Sequence, residues 1–249
     1  MKYRHRLSPL LEPNSVAVVG ASTKSGKPGN NVVRMLKRTG FNGDIYPINP
    51  AYENVEELVC YASSSDLPNP PDLAILSVSD SRIEAAFRDV ALAGAQAALI
   101  FGGANLEETS SIKLPKRLGD IAKEAKIPLM GANCMGFYNF QHPIVGTFYY
   151  PPHLPNPGRC TLITHSGSSW SSVTHNDERL GFNLSISTGQ ELSLTAADYI
   201  DFALEQTDTR VIGLILETVR DPENFIVALE KANKKEIPIV ALKVGRTET

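Results

Sequence analysis

The sequence predicts an α/β protein with two parallel-sheet domains, and three observations carry that expectation. Short apolar runs alternate with amphipathic helical stretches along most of the chain, the pattern of parallel strands covered on both faces. The alternation is interrupted at residues 139–158 and then restarts. A glycine-rich turn directly follows the first apolar run, at the carboxyl end of a strand, where open parallel sheets bind their ligands.

Taken in order, "SVAVVGA" predicts the first strand and "GNNVVRMLKRTG" a helix closed by Gly40. "GDIYPINP" is the second strand, ended by Pro50, and a short helix is expected over "VEELVCYAS". The third strand is "DLAILSVS", followed by the helix "SRIEAAFRDVALAGA". "QAALIFGG" is the fourth strand, "SSIKLPKRLGDIAKEAK" the next helix, and "IPLMGANCMGFYN" a fifth strand with its exit loop. Residues 139–158 hold five of the 17 prolines and no helical period, which marks a linker whose aromatics pack on a neighbour. The second half reads "RCTLITHSGSSW" as a strand, a helix over 169–180, then the strand "NLSISTGQ" and the helix "LTAADYIDFALEQT". It ends with the strand "TRVIGLILETV", the helix "PENFIVALEKANKKE" and the strand "IPIVALKVGR". The expected division is 1–140 for the first domain, 141–158 for the linker and 159–249 for the second domain.

Composition narrows the function. A net charge of −3 and a pI near 6.0 argue against a nucleic-acid or membrane-surface protein, whose binding face needs excess Lys and Arg. No apolar run approaches the roughly 20 residues that span a bilayer. The opening "MKYRHRLSPLLEPNS" lacks the apolar core of a secretory signal. Cys60, Cys134 and Cys160 fit neither a disulfide framework nor a zinc spacing, so reduced thiols in the cytoplasm are expected.

The glycines of the first turn, Gly20, Gly26 and Gly29, miss the spacing that holds a nicotinamide dinucleotide. Gly26 and Gly29 are expected to let the backbone pass close to a ligand, with Lys24 and Lys27 adding charge; a plain tight connection is the alternative. The second strand ends in Asn49 and Pro50 rather than the acid that would bond a dinucleotide's ribose. Small-residue loops, "SVSDS", "FGGAN" and "GANCMGF", leave a groove for a long ligand, which suits an adenine nucleotide with a pantetheine tail better than NAD. In the second half, "THSGSS" puts Ser166, Gly167 and Ser168 at a strand-to-helix turn able to bind phosphate, and "STGQE" offers a similar turn with Gly189 and Gln190. Ordinary helix caps are the alternative for both. Glu217 interrupts an apolar strand near its carboxyl end, as a site carboxylate or as a solvated strand-end acid.

The first half, through "SVAVVGASTKSGKPGNNVVRMLKRTGFNGDIYPINP", "DLPNPPDLAILSVS", "ALIFGG" and "GANCMGFYN", resembles the CoA-binding domain of the NDP-forming acyl-CoA synthetases. That superfamily includes the α subunit of succinyl-CoA synthetase and ADP-forming acetyl-CoA synthetase. "ITHSGSS", "ISTGQE", "LILETVRDPENF" and "PIVALKVGRTE" continue the likeness. The resemblance implies a Rossmann-like CoA-binding domain followed by a flavodoxin-like α/β domain. It implies CoA phosphates at Gly20, Ala21, Ser22, Lys24 and Lys27, with Asn49 and Pro50 bordering the nucleotide. Ser77, Val78, Ser79, Phe101, Gly102 and Gly103 would line the groove, and Asn133 sits in the family's Gly-Pro-Asn-Cys segment, with Ala132 in place of the proline. Glu217 would orient a phosphorylatable histidine, and His165, beside the Ser166 turn, stands where relatives carry Gln or Arg and is expected to contact phosphate or lie in solvent. The histidine motif itself follows the segment matching "LKVGRTE", so the resemblance implies a second domain incomplete at its C-terminus and a part of a longer protein or oligomeric complex, inactive alone. A carboxylic acid would be the other substrate, with ATP and Mg2+ on an ATP-grasp domain or subunit and no metal bound here. A non-catalytic CoA-sensing module is the competing reading; a nicotinamide oxidoreductase is disfavoured by the missing acid.

Overall fold

The computed structural model describes residues 4–107, 111–151, 153–176 and 179–245. The first half contains α1 (Ser8–Leu11), β1 (Ser15–Val19), α2 (Pro28–Arg38), β2 (Asp44–Ile48), β3 (Asn54–Val55) and β4 (Leu58–Val59). It continues with β5 (Leu73–Leu76), α3 (Asp80–Leu92), β6 (Ala97–Ile100), α4 (Leu114–Ala125) and β7 (Leu129–Gly131). After it come β8 (Gly136–Asn139), β9 (Ile144–Gly146), β10 (Pro157–Thr164), α5 (Gly167–Asn176) and β11 (Phe182–Ser187). The chain ends with α6 (Ala196–Glu205), β12 (Val211–Leu216), α7 (Pro222–Lys234) and β13 (Ile239–Lys243).

The first sheet is wholly parallel, in the order β2-β1-β5-β6-β7. Its inner strands β5 and β6 are buried at every residue, which is why they read as unbroken apolar runs. Pro47 lies in β2, at the sheet edge, where a missing N–H is tolerated. The second sheet runs β13-β12-β10-β11-β8-β9, parallel through its first four strands and antiparallel at β8 and β9. In each sheet the strand order reverses once, between β1 and β5 and between β10 and β12, and each reversal opens a crevice at the strand ends.

Three expectations are corrected. "VEELVCYAS" forms no helix: β3 and β4 make a tight hairpin, with Glu56 and Glu57 at φ 50° and 67° in its turn. The segment is too short to repay helix nucleation, and Val55 is fully buried by the hairpin instead. The run read as one fifth strand is split. Gly131 and Gly136, at φ 99° and 90°, turn the chain out of the first sheet, and "GFYN" becomes β8 of the second. β9 falls inside the expected linker, so Ile144–Gly146 pair with β8 as sheet rather than forming a tether. Of the helix expected over 169–180, residues 177 and 178 lie outside the described residues, as do 246–248 of the last quoted motif.

The N-terminal arm was read only for the absence of a signal, yet it closes the core. Leu7, Leu10 and Leu11 are fully buried in one apolar cluster with Leu73, Leu99 and Leu184 of the two sheets and Phe202 of α6. Each such side chain contributes about 1.5–3 kcal/mol on burial. Polar ties fix the arm: His5 Nε2 lies 3.0 Å from Asp201, Arg6 pairs with Asp198, and Asn139 Nδ2 donates to the Leu11 carbonyl at 2.9 Å. Asn139 Oδ1 also accepts from the N–H groups of Gln141 and His142, at 3.0 and 3.3 Å. Asn139→Ala strips a buried carbonyl of its donor and two N–H groups of their acceptor. Chemical denaturation should show a loss of about 1–3 kcal/mol; an unchanged midpoint would show that the arm is held without Asn139.

Candidate functional site

Three adjoining cavities, linked by shared lining residues, lie along the strand ends of the two sheets. A cavity of about 760 Å³ lies over the β1–β5 crevice and shares Pro28, Ser77 and Val78 with a cavity of about 390 Å³. The latter shares Phe101 and Phe148 with a third, of about 470 Å³, at the carboxyl ends of β10 and β12.

At the first end, Gly20 has φ 84°, and a Cβ there would press on the Ser77 carbonyl and Val78. Gly29 lets the start of α2 pack on the Gly20 carbonyl, while Gly26 has open space around it. Thus Gly29 serves close helix packing, which in turn presents the N-terminus of α2 to the cavity that it lines. Asn49 Nδ2 donates to the Ala21 carbonyl at 2.7 Å, and Ser22 Oγ accepts from the Lys24 N–H at 3.1 Å. Buried Asn30, which sequence reasoning missed, clamps the same turn by donating to the Ser22 carbonyl (2.8 Å) and Glu56 (2.7 Å). Gly20, Ser22, Lys24, Lys27, Asn49, Pro50, Ser77 and Val78 all line the cavity, and Ala21 is buried just behind it. Arg82 and Tyr52 line it too. Hydrogen bonds from Ser22 and Thr23 hold the Tyr52 phenol below its ordinary pKa. Three cations against Asp89 give this end a positive balance. The Ser77 hydroxyl is buried without a partner beside both cavities, which fits a ligand that supplies one.

Along the middle run Val78, Ser79, Phe101 and Gly102, with Phe148 opposite. Phe101 and Phe148 meet edge to face, centroids 4.9 Å apart. Phe148 comes from the stretch whose aromatics were expected to pack. Asn31 donates to its carbonyl at 3.1 Å, Arg38 donates to the Pro151 carbonyl at 2.6 Å, and Arg34 and Arg38 stack on Tyr150.

At the second end, Ser166 Oγ accepts from the Ser169 N–H at 3.2 Å, so Ser166 caps α5. Gly167 and Ser168 occupy the first helical turn, whose N–H groups have no intrahelical acceptors and sit at the positive end of the dipole. Capping and anion binding are compatible here, because different groups perform them. Glu217 directly follows β12, is exposed, and lines the cavity. Gln190 is engaged differently from the expected phosphate turn. Its N–H donates to the Ala132 carbonyl (2.8 Å) and its side chain to the Gly103 carbonyl (3.1 Å). No helix begins there; α6 starts at Ala196 behind a Thr195–Asp198 capping box. Gly189 and Gln190 nonetheless line the same cavity as Ser166–Ser168 and Asn133.

His165 is neither solvated nor free. It is buried, its Nδ1 accepts the Glu217 N–H at 3.1 Å, and its Nε2 lies 3.0 Å from Glu191. Because an amide only donates, the ring proton resides on Nε2, which donates it in a hydrogen bond to the Glu191 carboxylate. Both nitrogens are thereby committed, and His165 is no phosphoryl acceptor. The same holds for His5, bonded to Asp201 and the Leu7 N–H, and for His175, bonded to Tyr138 and the Ser171 carbonyl. Burial pushes His175 below its ordinary pKa. Cys134 lines the cavity, but burial pushes its thiol up to about 12, and it donates to the Ile100 carbonyl. It is a packing residue rather than a nucleophile. Among the described residues one group of metal-ligating side chains occurs, His5, Asp201 and Glu205, and the Lys231 ammonium already bonds both of its carboxylates.

Residues 14–139 match the family described as the CoA binding domain, and residues 157–249 match the succinyl-CoA ligase like flavodoxin domain. Acetate--CoA ligase [ADP-forming] II of Archaeoglobus fulgidus is 33% identical over 97% of this chain and 36% of its own length. Acetate--CoA ligase [ADP-forming] II subunit alpha of Pyrococcus furiosus is 28% identical over 96% of this chain and 52% of its own. A solved dinucleotide forming acetyl-coenzyme A synthetase 1 of Ca. Korarchaeum cryptofilum, in complex with phosphate and ADP, superposes with a TM-score of 0.87. It is 28% identical, over 97% of this chain and 52% of that one. The chain thus spans between about a third and about half the length of these relatives. With a parallel sheet carrying the glycine turn and a mostly parallel second sheet behind it, the chain belongs to the CoA binding domain family and continues into a succinyl-CoA ligase like flavodoxin domain.

Proposed function

We propose that this chain is the CoA-binding part of an ADP-forming acyl-CoA synthetase, which converts a carboxylate, CoA and ATP to acyl-CoA, ADP and phosphate. The observation that carries the reading is the row of three adjoining cavities, with cations or a free helix N-terminus at its two ends and a mostly apolar middle. CoA fits it with its phosphates at the Gly20–Lys27 turn and its thiol toward Ser166–Ser168. Lys24, Lys27 and Arg82 offset the phosphate charge, Ser77 supplies a hydroxyl to the tail, and Phe101 and Phe148 exclude water from it.

At the other end the N–H groups of Gly167 and Ser168 hold a phosphoryl group, and Asn133, Gly189 and Gln190 wall that cavity. Glu217 accepts the N–H of a histidine supplied from outside these residues, leaving the second ring nitrogen free to carry phosphate. The phosphoryl group passes to the acid's carboxylate oxygen, and thiol attack on the resulting acyl carbon expels phosphate. ATP and Mg2+ belong to an ATP-grasp partner domain or subunit in this reading, and the assembly is a cytoplasmic oligomer. No helix among the described residues is long and apolar enough to cross a membrane.

Two outcomes test the reading. Lys24→Gln combined with Lys27→Gln removes two exposed charges from the first end, so CoA affinity by calorimetry at low salt should fall about threefold or more, and less at high salt. Unchanged affinity at low salt would move the phosphates elsewhere. Glu217→Gln keeps the side-chain volume and removes the charge. In the full-length enzyme it should leave CoA affinity intact while slowing single-turnover phosphorylation by about 10²-fold. Equal phosphorylation rates would return Glu217 to a solvated strand-end acid, whereas no phosphorylation of either protein would favour a CoA-sensing module.

A further inference from the structure

We infer that Arg220 is the anion-recognition residue of the second-end cavity, and that Glu191, held by His165, is its positioning residue; the inference rests on the phosphate reading of that cavity. Among the described residues lining it, Arg220 is the only lysine or arginine. The others offer neutral donors and the carboxylate of Glu217, which by itself repels a phosphate or acyl phosphate. A cation beside Glu217 offsets that repulsion and adds to the α5 N–H groups, and Arg220 is placed to supply it.

Its setting is built rather than incidental. Glu191 is almost fully buried, 1% exposed at its side chain, and its backbone sits in the left-handed region at φ 54°. That conformation costs a non-glycine residue energy, and its neighbours hold it there. One carboxylate oxygen takes the His165 Nε2–H at 3.0 Å, and the other faces Arg220 Nε at 3.8 Å. His165 donates through Nε2 while its Nδ1 accepts, so among the described residues Arg220 is the cation that faces this buried carboxylate. At 3.8 Å the guanidinium is restrained but not saturated. Its side chain is 49% exposed, so its terminal N–H groups are available for the bidentate grip that suits a phosphate. The three groups leave neighbouring strand ends: His165 follows β10, Glu191 lies beyond β11, and Arg220 lies beyond β12. The pair thus aims one mobile cation from the wall of the cavity. Arg220 also lines a separate cavity of about 870 Å³ beside α4, and service there is the rival role.

The test uses the full-length protein and inorganic phosphate as probe, with CoA affinity and thermal midpoint measured in parallel. Arg220→Gln should weaken phosphate binding about tenfold or more and flatten its salt dependence, with CoA affinity unchanged. Arg220→Lys keeps the charge without the fork and should recover part of the affinity. Glu191→Gln still accepts the His165 N–H but releases the arginine, so phosphate affinity should fall several-fold although Arg220 is present. Wild-type protein that binds CoA but no phosphate overturns the functional reading of the cavity. Wild-type and Arg220→Gln proteins with equal phosphate affinity overturn only the role of Arg220, and an unchanged Glu191→Gln overturns the positioning pair. Parallel loss of CoA and phosphate binding in both Arg220 variants would show a structural role and also overturn the inference.

Discussion

The site depends on a seam of backbone hydrogen bonds between the loop after β7 and the loop after β11. Gln190 and Leu192 donate their N–H groups to the carbonyls of Ala132 and Gly131, and the Met135 N–H donates to Ser187 Oγ. Gly189, at φ 68°, lies so close to the Ala132 and Asn133 carbonyls that no side chain fits between. This seam sets the carboxyl ends of both sheets against one row of cavities. Without it, each sheet would present its own crevice, and no ligand could touch both. Most of the contacts are main-chain, so the seam asks little of side-chain identity beyond its glycine.

The two ends of the row are built to different standards of rigidity. At the first, Lys24, Lys27 and Arg82 are exposed side chains around a turn that Asn30 and Asn49 fix through its carbonyls. Charge is supplied there without a fixed geometry, which suits holding phosphates by attraction. At the second, the helix start, the committed imidazole of His165 and the strand-end Glu217 are tied to neighbouring strands. Chemistry needs that tighter placement, because reacting atoms tolerate little displacement.

How much of this was legible in the sequence follows from the range of the interactions. The strands of the first sheet and the glycine turn were readable because periodicity and Gly-Ser-Lys chemistry are local signals. The positions of Ser166–Ser168 and Glu217 at strand ends were readable for the same reason. The fate of "GFYN" was not, since a four-residue apolar run carries no record of which sheet it will join. The hairpin at Glu56–Glu57 hid because its turn uses glutamates in a conformation that sequence signals assign to Gly or Asn. Gln190 looked like a phosphate ligand, but its partners, Ala132 and Gly103, are distant in the chain. Arg220 was visible three residues beyond Glu217, yet only the fold brings it beside Glu191. His165 appeared solvated or phosphate-contacting because nothing local reveals that both its nitrogens are taken.

The N-terminal arm has a consequence for the order in which the chain can be completed during synthesis. Leu7, Leu10 and Leu11 emerge first, but their apolar cluster includes Leu184, Ile200 and Phe202, and His5 finds Asp201 across 196 residues. Contacts of such separation form slowly, because the intervening chain must be ordered first. The first sheet can assemble as it leaves the ribosome, yet its underside stays greasy and uncapped until α6 has been made. Cutting the chain between its sheets would expose that underside permanently. The halves therefore mature as one unit, although each carries its own sheet.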